Sequence, residues 1–383
     1  MTQLIGGGAL FLWEIRSGPN QGIYSRALGT NGTFLSDDLR ITPVSWKSSL
    51  RRSTNWFGCF RDRWLNRRFK FREVINNVRE HAGSASVVPL PDGGALVAYA
   101  MNCSSETNTW TLSRQERWTG RRYSTNDTLV PVRYLGDWMQ DVFVQRLDAA
   151  GQKVGAEIKV NQQLEYNQRN PSVAALPDGR LVVVWVSELP RGADWRQNFR
   201  VELRGRLLDG SGNPVGDEFV VGDNADLIQA NPCVAALSST GFNVFWSQRQ
   251  DQSSARWDVL GRNFAADGTP NGASFVVNTH VDGDQFGPCV ASSGDQQVVV
   301  WTSVGQDGSR EGVYGRVISG GTVSGEEFRV NGTTVSRQVQ PGVASDGQGR
   351  FLAVWASYGG ESGFDVFGQQ YSIVDGQSAG SSR

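Results

Sequence analysis

The chain has 383 residues, of which 39% are hydrophobic and 10% aromatic, with 46 glycines and only three methionines. That composition excludes a disordered chain and argues against a helical one, while the length is too great for one compact sandwich and short for three ordinary domains. A formal net charge of −1 excludes nucleic-acid binding by bulk electrostatics, two histidines (His81 and His280) exclude a multi-histidine metal centre, and no run of eighteen apolar residues is available to span a bilayer as a helix.

The opening segment, Met1 to Glu14, has no basic residue, and three glycines interrupt its apolar run. It does not read as a secretory signal, which leaves either a cytosolic protein or a chain whose natural start lies elsewhere.

Internal similarity is the strongest signal in the sequence. A unit of four short β-rich runs recurs, each run bounded by Gly, Asp, Asn and Ser. We label the runs A (Pro-x-Val-Ala), B (Val-Val-Val-Trp), C (Val-Tyr-Gly-Arg) and D (Glu-Phe-x-Val-Asn). The first copy starts at run B, Ala9 to Trp13, followed by C at Ile23 to Arg26 and D at Asp38 to Ile41. The second has a faint A and B between Ala85 and Tyr99, then C at Phe143 to Arg146 and D at Glu157 to Asn161. The third runs from Pro171 through Trp185 and Arg206 to Val221. The fourth spans Pro232, Trp246, Arg262 and Asn278, and the fifth Pro288, Trp301, Arg316 and Asn331. The sixth has Pro341, Trp355 and Gln369, then a Gly/Ser tail in place of D.

Four antiparallel strands per roughly fifty residues, repeated, is the arithmetic of a β-propeller blade. The expected fold is therefore all-β: one propeller over 1–383, with six blades of four strands and two insertions, at 44–80 and 102–140. Run B is apolar on consecutive positions, as a strand buried on both faces must be. Trp185, Trp246, Trp301 and Trp355 are expected at equivalent buried places between blades. The recurrent arginine of run C (Arg26, Arg146, Arg206, Arg262, Arg316) recurs too regularly for a single active site. It reads as a structural hydrogen-bonder, with the carboxylate of run D as a candidate partner.

Four cysteines, at 59, 103, 233 and 289, form no Cys-x-x-Cys, so zinc and thioredoxin-like readings fail. Cys233 and Cys289 occupy the same place in run A and read as small buried hydrophobes with free thiols. A Cys59–Cys103 disulfide joining the two insertions stays open as an alternative. Asp282-Gly-Asp284 and Asp223-Asn-Ala-Asp226 lack the acids of a calcium loop and read as polar turns. No metal or cofactor is expected.

The units resemble a bacterial repeat of about fifty residues, Gln-x-x-Pro-x-Val-Ala-x-Leu-x-Asp-Gly-x-Val-Val-Val-Trp followed by Val-x-Gly-Gln/Arg and Glu-Phe-x-Val-Asn. The resemblance covers residues 6–41, 84–101, 141–248, 256–303 and 312–371. Such repeats form propeller blades in large secreted and surface proteins, which implies an extracellular or periplasmic setting. The resemblance implies no catalytic residue.

What departs from the repeat is where function is expected. Residues 44–80 carry ten Lys/Arg against Asp62, Glu73 and Glu80, interleaved with seven aromatics. Apolar positions 64, 71, 74, 75 and 78 fall on one helical face and predict a helix over about 64–79. Residues 102–140 add further Trp, Tyr and Arg. Trp and Arg anchor protein interfaces. The expected partner-binding residues are therefore Trp56, Phe57, Phe60, Arg61, Arg63, Trp64, Arg67 and Arg68, with Trp110 and Trp118 from the second insertion. No nucleophile elbow, Walker loop, zincin motif or dinucleotide fingerprint occurs.

The leading expectation is a non-enzymatic binding and assembly propeller that docks a protein partner or larger complex. The alternative is a lectin-like or glycan-cleaving propeller at the cell surface, since glycan sites also use Trp and Tyr platforms. Contact with an acidic membrane surface or nucleic acid is a further, weaker option.

Overall fold

The computed structural model describes residues 1–16, 20–43, 46–47, 67–118, 123–135, 140–163, 166–190, 199–224, 226–238, 241–249, 256–359, 363–374 and 377–381. All regular structure among them is β-strand, arranged in six antiparallel sheets in chain order.

Blade 1 is β1 (Thr2–Gln3), β2 (Ala9–Ile15), β3 (Gly22–Leu28) and β4 (Leu39–Arg40). Blade 2 is larger: β5 (Trp46–Lys47), β6 (Arg67–Pro89), β7 (Ala95–Trp118), β8 (Tyr123–Leu135), β9 (Gln140–Leu147) and β10 (Lys153–Lys159). Blade 3 holds β11 (Gln168–Ala175), β12 (Leu181–Pro190), β13 (Phe199–Leu208) and β14 (Pro214–Val220). Blade 4 holds β15 (Gln229–Ala236), β16 (Phe242–Arg249), β17 (Trp257–Phe264) and β18 (Phe275–Val276). Blade 5 is β19 (Gln285–Ser293), β20 (Gln296–Val304), β21 (Glu311–Ser319) and β22 (Thr322–Arg329). Blade 6 is β23 (Gln338–Ser345), β24 (Arg350–Tyr358), β25 (Phe364–Val374) and the short β26 (Gln377–Ser381). From blade 2 to blade 6 the A strands β6, β11, β15, β19 and β23 pack one on the next, so they form the inner ring and the D strands lie outside. This is the six-bladed propeller that the repeat predicts.

The helix over 64–79 is not formed. From Arg67 the chain is strand, and β6 pairs with β7 from Arg67↔Gln115 to Glu80↔Asn102 before both continue into the blade. The two insertions are thus one ribbon that prolongs strands A and B of blade 2, with β8 added along the outer part of β7. The physical reason is in the residues. Arg68-Phe69-Lys70-Phe71-Arg72 alternates with period two, and Val74, Ile75 and Val78 are β-branched. Such residues suit a pleated surface, and β7 offers an edge to pair with.

Each run-B tryptophan is buried by the blade before it. Trp185 packs on Leu96, Ala98 and Val142 of blade 2, and Trp246 on Val184, Leu203 and Val221 of blade 3. Trp301 meets Phe245, Val259 and Val277 of blade 4, and Trp355 meets Val300, Val313 and Val330 of blade 5. The first three are wholly buried and the fourth almost so. In blade 2 the same place is taken by Tyr99, buried against Leu10, Ile23 and Ile41.

Polar stitches reinforce these junctions. Arg206 donates through Nε to the Gly216 carbonyl of its own blade (3.0 Å) and through Nη1 to the Val160 carbonyl of blade 2 (2.8 Å). Arg262 does the same with Gly272 and Val221, and Arg316 with Gly325 and Val277. In blade 6, where Gln369 replaces the arginine, the Tyr371 hydroxyl donates to Val330 O instead (2.8 Å). The recurrent arginine is therefore structural, but in these three blades it binds main-chain carbonyls and not the run-D carboxylate. Arg146 departs from the pattern and pairs with Asp92.

The asparagine ending run D accepts from the first N–H of strand C: Asn161 from Val142, Asn278 from Val259, Asn331 from Val313. Blade 3 has Gly222 there, and the Gln229 side chain fills the space to accept from Leu203 N (3.1 Å). Gln229 opens run A as Gln168, Gln285 and Gln338 do in their blades, so only Gly222 departs from the repeat, and a Cβ there would meet Gln229 Nε2 at 2.0 Å.

Cys233 and Cys289 are free and lie on neighbouring A strands. Burial pushes both thiols up, the Cys233 thiol the further because Cys289 lies nearby. Cys59 lies outside the described residues.

Replacing Trp246 with Ala should cost about 3–5 kcal/mol, the scale of an aromatic deleted from a packed core. Trp13→Ala, at the aligned but only half-buried place in blade 1, should cost clearly less. Urea titration of both variants checks the ranking, and equal losses would contradict it.

In a Cys59→Ser/Cys103→Ser background, a thiol reagent at pH 7.5 should modify Cys233 and Cys289 only after denaturation. Rapid labelling of the folded chain would refute this.

Arg146 holds the Asp92 carboxyl below its usual range, Arg180 does so for Asp178, and the Gln348 N–H for Asp346. Depressed carboxyls contribute stability above their unfolded value of about 3.9, and lose it as pH falls through the folded values. The urea midpoint should therefore hold from pH 7 to about 5 and decline modestly below about 4, modestly because these groups are exposed. Asp92→Asn should remove part of that decline.

Candidate functional site

Strand A of blade 1 is stunted. β1 pairs with β2 only at Thr2↔Leu10 and Gln3↔Ala9, whereas β11 follows β12 as far as Gln168↔Ser187. Among the described residues, the inner edge of β2 beyond Leu10 is not paired. A cavity of about 460 Å³ lies there, lined by Met1, Leu12, Trp13 and Glu14 of blade 1 and by Ser84, Ala85, Ser86 and Val87 of β6. That volume lies within the usual range for small-ligand sites, about 300–1,000 Å³.

Trp13 borders the cavity from the face of β2 opposite to that of Glu14, since successive side chains alternate along a strand. Trp13 faces Tyr24, and their rings stack with centroids 6.0 Å apart and planes at 17°. The Tyr24 hydroxyl is anchored on Asn20 O (2.7 Å), and the Arg40 guanidinium lies over the same ring at 5.9 Å.

The polar wall is Glu14, with Arg16 Nε at 3.5 Å. Position 14 follows the run-B tryptophan, where the other blades have Val186, Ser247, Thr302 and Ala356. Glu14 breaks that pattern, and Gly83 makes room for it: a Cβ on Gly83 would meet Glu14 Oε1 at 2.7 Å.

The opposite wall is shaped by a bulge that recurs in every full A strand. The residue before the anchor position is left-handed at Ser84, Asn170, Asn231, Gly287 and Gln340, with φ between 51° and 66°. In blade 2 this turns Ser84 so that its hydroxyl donates to Asn170 Oδ1 (2.9 Å), and Ser86 Oγ accepts from Val173 N (3.2 Å).

The other buried acids are committed to structure. Asp141 and Asp258 orient Asn161 and Asn278, Glu202 is paired with Arg200 and Arg204, and Glu188 with Arg169 and Asn167. Among the described residues no cluster of three His, Cys, Asp or Glu could hold a metal ion.

Of the residues expected to bind a partner, Trp56, Phe57, Phe60, Arg61, Arg63 and Trp64 lie outside the described residues. Arg67 and Arg68 open β6, and Trp110 and Trp118 lie on β7, all within the blade 2 ribbon. The register sets Arg67 opposite Gln115 and Trp118 opposite Tyr123, so the structure gathers these four on one ribbon. The cavity residues were not among the expected sites. The available signal was Glu14, a charge at a repeat position that is otherwise small or apolar.

No protein-family model and no curated protein matches the chain. Solved structures similar to it are all remote. A protein of unknown function from Dyadobacter fermentans is 10% identical over 97% of this chain and 93% of its own, with a TM-score of 0.54, and shares the fold. An α-L-arabinofuranosidase from Lactobacillus brevis is 10% identical over 77% of this chain and 92% of its own (TM-score 0.39). A putative exo-β-1,3-galactanase from Bifidobacterium bifidum is 9% identical over 78% and 91% (TM-score 0.38). The expectation of a non-enzymatic chain is corrected here. Glycoside hydrolases are among these similar structures, and because cleavage of a glycosidic bond needs only two carboxyl groups, the lack of a catalytic motif gives no ground for excluding an enzyme.

Proposed function

We propose that this propeller acts on a glycan held in the cavity between blades 1 and 2. The observation that carries the reading is Glu14, a carboxylate set at a repeat position that is small or apolar in the other aligned blades, beside the stacked Trp13–Tyr24 pair. A sugar ring presents an apolar face suited to an indole and a rim of hydroxyls suited to a carboxylate and serines. Glu14 and Ser84 would take its hydroxyls, and Trp13, on the other face of β2, would meet the ring only at the edge of the cavity. Cleavage of a glycosidic bond uses two carboxyl groups. Glu14 is the one supplied by the described lining residues, which makes it the first group to test as a proton donor.

The docking of a protein partner through the basic-aromatic insertions loses its main support. That argument rested on the Trp and Arg of the insertions as interface anchors, and the described part of the segment is a strand paired within its own blade.

The test is binding of an oligosaccharide panel to the full chain by calorimetry, with release of reducing sugar from xylan, arabinan and galactan followed in parallel. Glu14→Gln should weaken binding at least tenfold and abolish any sugar release, and Trp13→Ala should weaken it less. Failure of the unaltered chain both to bind and to cleave every glycan would overturn the reading.

A further inference from the structure

At each inner junction, the residue before the run-B tryptophan and the first residue of run C face the following blade. Val184 and Leu203, Phe245 and Val259, and Val300 and Val313 are all 0% exposed there. The same two positions in blade 6 are Val354 at 37% and Val366 at 80%, next to Leu352 at 49%.

The opposite face of blade 1 is open in the matching way. Phe11 and Trp13 are only half-buried, where Val244 and Trp246 of blade 4 are fully covered. Arg26 makes the within-blade half of the arginine stitch, Nε donating to Ser36 O (3.1 Å). Its Nη1, which in Arg206, Arg262 and Arg316 crosses to the preceding blade, faces Asp38 at 3.8 Å instead. Among the described residues, no extensively packed pair of strands joins blade 1 to blade 6.

We propose that the open face of blade 6 docks on the open face of blade 1 in a second copy of this chain. The contact continues the series of junctions already present, in which apolar residues of strands B and C meet a Trp face. The four junctions from blade 2 to blade 6 define that apolar chemistry, and each copy carries one open face of each kind. Exposed apolar faces of this extent mark interaction surfaces. The two patches are unlike, so the association is head-to-tail and propagates into a ring or a filament. The docked blade would also stand beside Trp13 as a further wall of the cavity. The inference itself does not rest on the glycan reading.

Light scattering on the full chain across a hundredfold concentration range tests it. The mass should exceed one copy and rise with concentration. Val366→Asp, on the blade 6 face, and Arg26→Glu, on the blade 1 face, should each weaken association at least tenfold. Circular dichroism should show both variants folded, since neither side chain is in the core. An equimolar mixture of the two variants retains one intact junction and should recover a two-copy species that neither forms alone. A single-copy mass at every concentration overturns the proposal. The Val366→Cys variant, in the Cys59→Ser/Cys103→Ser background, then tells how it fails. If its new thiol is unreactive to maleimide, the two faces close within one chain, and if it reacts, the face is unpaired.

Discussion

A blade of this repeat cannot bury its own tryptophan. Strand B is apolar on both faces, and a four-stranded sheet covers neither. Trp185, Trp246, Trp301 and Trp355 are each covered by strands of the preceding blade. Burial is thus a property of junctions, and stability follows nearest-neighbour logic as in other repeat architectures. The arginine and asparagine bonds depend on it, because they reach buried amides and carbonyls only once the apolar faces have met. So does the form of the exceptions. Where a blade loses one stitching residue, another side chain reaches the same atom, as Tyr371 does for Val330 O and Gln229 for Leu203 N.

The architecture was legible because the repeat states it several times. One Pro-x-Val-Ala could be a turn, but four proline anchors each followed by a tryptophan 13 or 14 residues on describe a strand pair and its neighbour. The partner of the recurrent arginine was not legible. A carboxylate in run D is visible in the sequence, whereas a carbonyl is carried by every residue and leaves no signature. The ribbon in blade 2 was misread for a related reason. Val74, Ile75 and Val78 satisfy a helical stripe and a strand alike, and only the pairing available along β7 decides between them. Glu14 could have been found by aligning the first repeat, which lacks most of run A, against the other five. The cavity it borders could not, since it arises from how far β1 extends along β2.

Breaks in the repeat divide into two kinds. Gly222 and Gln369 are compensated departures: the recurrent Gln229 takes over the lost bond at the first, and Tyr371 at the second. Glu14 with Gly83 is different, because no shared bond is rebuilt. A charge enters and a side chain withdraws to admit it, on the rim of a cavity. Compensated departures report packing history. An uncompensated one, facing open space, is where chemistry can be placed without cost to the ring.

The outer rim carries one more exchange. Glu218 of blade 3 accepts from the Gln162 and Gln163 amides of blade 2, and Glu327 of blade 5 accepts from Thr279 of blade 4. Between blades 3 and 4 the polarity is reversed: Ser274 donates through its amide and hydroxyl to Asp223. Donor and acceptor have traded sides. Set after blade 2, blade 4 would bring Ser274 to the amides of Gln162 and Gln163, with no carboxylate to receive them. Set after blade 3, blade 5 would bring Glu327 against Asp223, carboxylate to carboxylate. The rim therefore sorts these junctions into two classes by hydrogen-bond polarity, one shared by blades 3 and 5 against the blade before them and the reverse for blade 4.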